Sequence, residues 1–213
     1  MAVSEISAST QDYLKCIWTL QEWTGDPVSI TALAERLGIR TSTASDGVKK
    51  LVQLGFVEHE TYGGVILTKA GRAHAVAMVR RHRLLETYLA QELGYDWDQV
   101  HDEAEVLEHA VSDRLMAAID SRLGFPTRDP HGNPIPSADG SAHLPDAVVL
   151  ADAEPGEYTV ARISDADPAQ LRRLALAGVT LDAAIAVDHE RNARASDVSL
   201  AADDAKAIWV TRA

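Results

Sequence analysis

The sequence predicts a mainly α protein with two small β parts: an N-terminal winged helix-turn-helix, a helical middle and a C-terminal β-barrel. Three observations lead there. Two short helix signals stand almost end to end, separated by Ile39-Arg40, and are followed by two β runs around Tyr62-Gly63-Gly64; a helix-turn-helix followed by a hairpin is a winged helix-turn-helix. Helical periodicity then dominates as far as Leu123-Gly124. Beyond a proline-rich stretch, apolar residues alternate at period two, the pattern of strands buried on one face.

Taken in order, STQDYLKCIWTLQEW carries apolar residues at 13, 14, 17, 18 and 20 behind Ser9 or Thr10 as caps, and predicts an amphipathic helix stopped at Thr24-Gly25-Asp26-Pro27. SITALAERLG has Ser29 as N-cap and Gly38 as stop. TSTASDGVKKLVQLG opens at Thr41, Ser42 or Thr43 and stops at Gly55. From Lys69 to Leu93 there is no glycine after Gly71 and no proline, which predicts one long helix ended by Gly94. Asp98 to Ala110 predicts another, and Ser112-Asp113 cap a third. Residues 125–146 hold five prolines and read as a linker. The expected domains are therefore a DNA-binding domain at 1–74, a helical domain at 75–124, the linker, and a β-barrel at 147–213.

Composition narrows the function classes. Of 213 residues, 46% are apolar, enough for a buried core. No run of eighteen apolar residues occurs, and MAVSEISASTQ lacks a basic and then an apolar region, so a cytoplasmic protein with no membrane span or secretory signal is expected. The one cysteine, Cys16, excludes an internal disulfide. A net charge of −12 argues against bulk attraction to nucleic acid. Its distribution is uneven: residues 1–74 carry 7 Lys and Arg against 8 Asp and Glu, and residues 75–124 carry 5 against 10.

In the second helix of the helix-turn-helix, Ala44, Val48, Leu51 and Val52 form the expected core stripe. Ser42, Thr43, Asp46, Gly47 and Lys50 then face outward near the helix start, with Thr41 beside them. That end reads bases in this motif. Hydroxyls bond phosphates or base edges, and Asp46 can accept from a cytosine amino group. Arg40, Lys49, Lys50, Lys69 and Arg72 are the phosphate candidates. Gly47 inside a helix costs ~1 kcal/mol relative to alanine; either close approach to DNA or drift explains it. The wing segment Glu58-His59-Glu60 is acidic, so a homodimer, doubling the phosphate contacts on double-stranded DNA, is expected.

HDEAEVLEH, residues 101–109, packs two histidines and four acids into one helical segment. His101, Glu105, Glu108 and His109 fall within about 100° of one another on a helix. No Lys or Arg lies between Arg83 and Arg114 to pair those acids. His82 and Glu86 form an i, i+4 pair on the long helix. Carboxylates crowded without a basic partner raise one another's pKa, and a divalent cation removes the conflict. Three classes compete. A ferritin-like di-metal enzyme needs Glu-x-x-His, but Glu105 is followed by histidine four residues on, and HExxH is absent; no catalytic residue is assigned. A regulator of an organic ligand would leave the acids merely solvated, and no such ligand is expected. A metal-dependent regulator uses both halves of the pattern.

On DYL in the first helix, the helix-turn-helix, LTKAGR, RRHRLLE, VHDEAEVLEH, GNPIPS and the terminal domain, the chain resembles the diphtheria toxin repressor family of metal-dependent transcriptional repressors, and in particular its manganese-sensing members. The resemblance implies operator binding by a metal-activated homodimer through a helical dimerisation domain, with an SH3-like module at the C-terminus. It implies a regulatory site of Asp12, Glu105, Glu108 and His109. It implies a second site of His82, Glu86 and His101, completed by an acid and an amide three residues apart; Asp167 and Gln170 have that spacing, with Asp165 nearby. Iron-sensing members carry Met and Cys where Asp12 and Glu105 stand, and carboxylates move the site toward hard cations. Mn2+ is the expected metal, with Fe2+, Co2+ and Zn2+ as alternatives in vitro and an iron-dependent repressor of the same family as the alternative function. Lys15 stands where some manganese sensors carry a second acid, which favours two separated mononuclear sites.

Overall fold

The computed structural model describes residues 6–22, 25–59, 63–137, 140–142, 144–196 and 198–213. Thr24 of the expected helix stop, Glu60 of the wing and Tyr62 of its turn lie outside the described residues. The chain divides into two units, Met1–Arg81 with Pro136–Ser141, and His82–Ile135 with Ala142–Ala213.

In the first unit the opening helix starts before the expected caps: Ser7 accepts from the Thr10 amide at 3.4 Å, and α1 covers Ala8–Gln21. α2 (Ile30–Arg36) begins at the expected Ser29, whose hydroxyl accepts from the Ala32 amide at 3.1 Å. α3 (Thr41–Gln53) has Arg40 at its N-cap position with no side-chain capping bond. β1 (Val57–His59) and β2 (Val65–Leu67) pair antiparallel, Val57 opposite Leu67 and His59 opposite Val65. Leu14, Ile17, Leu33, Leu51 and Val65 are wholly or almost wholly buried in one core. Of the expected α3 stripe, Ala44, Val48 and Leu51 are buried. Val52 is not: it is 44% exposed on the last turn of the helix, where the three other positions already fill the contact with α1 and α2.

α4 (Lys69–Leu93) matches the expected long helix. In the second unit its later turns pack with α5 (Val100–Leu107) and α6 (Asp113–Arg122) around Leu84, Leu89, Val100, Ala104, Met116 and Ile119. α5 is shorter than the expected 98–110. A turn closed by the Gln99 amide on the Asp96 carbonyl at 2.9 Å delays its start, and Glu108 is its C-cap. Ser112 caps α6 as expected, accepting from the Leu115 amide at 3.2 Å.

The C-terminal part of this unit is a six-stranded antiparallel sheet, consistent with an SH3-like domain. Its strands are β3 (Val148–Val149), β4 (Gly156–Ile163), β5 (Ala184–Val187), β6 (Ala193–Ala195), β7 (Val198–Ser199) and β8 (Ile208–Arg212), in the spatial order β3-β8-β4-β5-β6-β7. α7 (Pro168–Leu176) and the short α8 (Ala202–Ala205) accompany it, Leu171 and Leu174 joining Val160, Ile163, Ile185 and Ile208 in its core. The expected linker is not a solvated tether along its whole length. Asp129 and His131 to Pro136 are buried, and Asp129 accepts from the backbone amides of His131 and Asn133. Among the described residues no helix is long and apolar enough to cross a membrane.

Candidate metal centre

The i, i+4 pair on α4 sets His82 and Glu86 on one face of the helix, and the second unit closes over them. His82 Nδ1 lies 2.7 Å from Glu108 Oε2. An ionised carboxylate only accepts, so Nδ1 carries a proton, and Nε2 is the nitrogen that offers a lone pair once the ring is neutral. That nitrogen lies 2.9 Å from Glu86 Oε1 and 3.1 Å from His101 Nδ1, and the last two atoms are 3.2 Å apart. Three electron-pair donors thus meet in a triangle of nearly equal sides. Cis ligands of an octahedral ion at ~2.1 Å are separated by about 3 Å, so this is a facial set for a small divalent cation.

A second grouping shares Glu86. His131 lies in the proline-rich segment and is wholly buried. Asp129 builds its loop: one carboxylate oxygen accepts from the amides of His131 at 2.8 Å and Asn133 at 2.9 Å, and the other accepts from the Asn133 side chain at 2.9 Å. Gly132, at φ +90°, lets the loop touch β4, where an added Cβ would come within 2.2 Å of the Ala161 carbonyl. His131 Nε2 lies 2.6 Å from the Trp97 carbonyl, which accepts, so Nδ1 is the atom that offers a lone pair when the ring is neutral. Nδ1 is 4.0 Å from Glu86 Oε2. Both atoms are buried, and neither has a hydrogen-bond partner among the described residues. Asp165 Oδ2 lies 3.5 Å from His101 Nδ1, and Asp165 joins Glu86 and His131 in a set whose donor atoms lie within 4.8 Å of one another. Two orphaned buried acceptors beside a triangle of lone pairs are what a cation would satisfy. With no thiolate among them, these nitrogen and oxygen donors suit manganese, iron, cobalt or zinc.

Without a cation, charge on His82 and His131 takes its place beside Glu86. Burial pushes the Glu86 carboxyl up, but the charge of His82, the hydrogen bonds from His101 and His82 and the charge of His131 outweigh it and hold it well below the usual range. Burial lowers His131, yet Glu86, Asp129 and Asp165 raise it overall. Asp129 is pushed up to about 6, by burial first and then by the charge of Glu86.

Glu105, Glu108 and His109 stand beside the triangle. Glu105 Oε1 is 4.0 Å from His82 Nδ1 and 3.8 Å from His101 Nε2. Glu108 is wholly buried and turns its other oxygen to within 3.7 Å of His109 Nε2. Asp12, on α1, belongs to the first unit. Asp167 and Gln170 are engaged elsewhere: Asp167 is the N-cap of α7, accepting from the Ala169 amide at 2.9 Å, and Gln170 donates to Asp204 at 3.0 Å. The acid that reaches the histidines is Asp165. His131 was not among the candidates; a histidine between Asp129 and Asn133 in a turn-forming segment is the signal that marks it.

In the first unit, Arg40, Thr41, Ser42, Thr43, Asp46, Lys49 and Lys50 are exposed along the first turns of α3, and Lys69 is exposed at the start of α4. Asp46 and Lys49 pair at 2.9 Å, with both side chains largely in solvent. Arg72 lies 4.2 Å over the Trp18 ring, a cation–π contact.

A winged helix-turn-helix followed by a nitrogen and oxygen donor cluster and an SH3-like sheet defines a metal-linked DNA-binding protein. Residues 5–65 match the iron dependent repressor N-terminal DNA binding domain, and residues 68–137 match the iron dependent repressor metal binding and dimerisation domain. The diphtheria toxin repressor of Corynebacterium glutamicum is 31% identical over 99% of both chains. The iron-dependent repressor IdeR of Mycobacterium bovis is 35% identical over 63% of this chain and 58% of its own length, so the match spans under three fifths of that relative. A solved manganese-dependent transcriptional repressor in complex with manganese is 54% identical, with a TM-score of 0.89, covering 96% of this chain and all of its own. The repressor ScaR with bound Cd2+ is 29% identical at a TM-score of 0.80, over 96% of this chain and 99% of its own. The chain belongs to the diphtheria toxin repressor family of iron- and manganese-dependent repressors. Members of that family are transcriptional repressors and not enzymes.

Proposed function

We propose that the protein is a cytoplasmic manganese-dependent repressor, which binds operator DNA as a metal-activated homodimer and controls metal-ion homeostasis genes. The observation that carries this reading is the lone-pair triangle of His82, Glu86 and His101 in a chain whose first unit is a winged helix-turn-helix. The regulatory set of Asp12, Glu105, Glu108 and His109 rests on the family resemblance, and the carboxylates in it favour Mn2+ over Fe2+. When bound, the cation supplies positive charge that neutralises the clustered acids. The protein's own residues do the rest: Glu108 holds His82 in the tautomer that offers Nε2, and the Trp97 carbonyl does the same for His131 Nδ1. On the DNA side, Arg40, Lys49, Lys50 and Lys69 supply phosphate contacts while Thr41, Ser42, Thr43 and Asp46 meet base edges.

The test is a titration with Mn2+, and anaerobically with Fe2+, followed by gel shift on a duplex selected from a random pool, with and without chelator. Retardation appearing with Mn2+ and lost with chelator is expected. A stronger response to Fe2+ would make this an iron sensor, and metal-independent retardation would refute the reading.

The second site is completed in this proposal by Asp165 and His131 rather than by Asp167 and Gln170. Asp165→Ala is expected to weaken Mn2+ binding by at least about tenfold in calorimetry. Asp167→Ala removes an N-cap and costs ~1 kcal/mol of stability, visible as a lower melting temperature with Mn2+ affinity unchanged. The opposite pattern would restore Asp167 as the ligand.

A further inference from the structure

Gly47 sits in the middle of α3, where every residue but proline is a better helix former. The structure gives a reason other than close approach to DNA or drift: Tyr13 of α1 lies against it. An added Cβ would lie 2.3 Å from Cζ and 2.4 Å from the hydroxyl oxygen of Tyr13, contacts that no rotation of the ring about its own axis relieves. Tyr13 comes from α1 and is 8% exposed. Its hydroxyl donates to the Thr43 carbonyl at 3.1 Å. In an α-helix that carbonyl is also the acceptor for the residue 47 amide. The ring therefore lies across the bare patch at Gly47 and grips the exposed reading end of α3 from behind, among Thr43, Asp46 and Gly47. Phenylalanine would fill the same core volume; only tyrosine adds the bond.

We infer that Tyr13 is a positioning residue that carries the placement of α1 to the base-reading turn of α3, with Gly47 left bare to admit it. Tyr13 follows Asp12 on the same helix. A shift or rotation of α1 that repositions the Asp12 carboxylate moves the Tyr13 hydroxyl with it, and the recognition helix is attached to that hydroxyl. Tyr13 touches neither metal nor DNA. It acts through Thr43. This inference rests on the proposed reading of α3 as the DNA-reading helix and of Asp12 as a metal ligand.

The test uses the full chain and a fluorescent duplex selected from a random pool by the wild-type protein in excess Mn2+. Tyr13→Phe is expected to bind that duplex about fivefold more weakly at saturating Mn2+, with Mn2+ binding in the absence of DNA unchanged and the melting temperature lowered by no more than a few degrees. A merely structural role would lower the melting temperature and leave the affinity of the folded protein intact. Gly47→Ala is expected to lower both duplex affinity and melting temperature in the wild type, yet to raise the melting temperature in a Tyr13→Ala background, where alanine's better helix propensity acts unopposed. Wild-type duplex affinity in Tyr13→Phe, or an effect of Gly47→Ala of the same sign in both backgrounds, overturns the inference. Failure of the wild-type protein to enrich any duplex would instead sink the DNA-binding reading, and this inference with it.

Discussion

Glu86→Gln is expected to lower Mn2+ affinity by at least ~100-fold and to remove the metal response of duplex binding, more than any other single change in the second unit. Glu86 is the one residue common to both donor groupings around it, with Oε1 in the triangle with His82 and His101, and Oε2 opposite His131. It is wholly buried, so no water takes over when its charge is removed. The amide keeps the shape but offers one acceptor instead of two and puts NH2 protons against a lone pair. A second consequence is independent of metal. The Glu86 carboxyl is held well below its ordinary range despite burial, chiefly by His82. A depressed carboxylate contributes stability above its unfolded pKa and loses it only as pH falls through the depressed value. In chelator at pH 7 the variant is therefore expected to melt below the wild type, a gap that narrows in strong acid. Calorimetric Mn2+ affinity equal to wild type would remove Glu86 from the centre.

How far the centre was legible in the sequence depends on what held each residue. His82 with Glu86, and His101 with Glu105, were legible because helical periodicity alone puts them on one face. Glu108 was legible as an acid on that face, but its double engagement, with His82 and His109, arises because α5 ends at Leu107 and Glu108 caps it. His131 and Asp165 were hidden in segments without periodicity. The loop at 129–135 is held by Asp129 accepting from backbone amides and by the Ile163 amide donating to the His131 carbonyl at 2.9 Å. Composition reads such a segment as a linker, since prolines mark both solvated tethers and rigid buried turns. Asp167 has two readings for a related reason: an acid before Pro168 has the spacing of a ligand and the position of an N-cap, and in the structure it caps α7.

The same contrast holds for the fold. The helices and the β1–β2 pair followed from local signals, though α1 is capped by Ser7 and α3 by no side chain, whereas Val52 was expected inside and is exposed, the amphipathic pattern alone not deciding how wide the buried stripe is. Gly47 was read from the sequence as close approach to DNA or drift, and neither is the contact the structure shows. Its neighbour Tyr13 is 34 positions away in the chain, a distance that no local pattern spans.

Asp12→Ala is the decisive change in the first unit. The substitution lies within α1, where alanine is the better helix former, so in chelator the variant is expected to fold and to melt within a few degrees of the wild type. What it removes is the carboxylate through which, in the proposed mechanism, α1 joins the regulatory metal. A ligand shifts a conformational equilibrium only by its differential affinity for the two states, and couplings of ~1–3 kcal/mol correspond to roughly 5- to 150-fold changes in affinity. The Mn2+-induced gain in duplex affinity is accordingly expected to collapse to about twofold or less, while Mn2+ binding at His82, Glu86 and His101 persists and a single calorimetric site remains. The contrast with Glu86→Gln separates the two sites, since that variant should lose the site that Asp12→Ala keeps. An Asp12→Ala protein that still gained the full wild-type duplex affinity on adding Mn2+ would show that α1 takes no part in the switch, and the coupling of metal to DNA would have to run through the helices of the second unit alone.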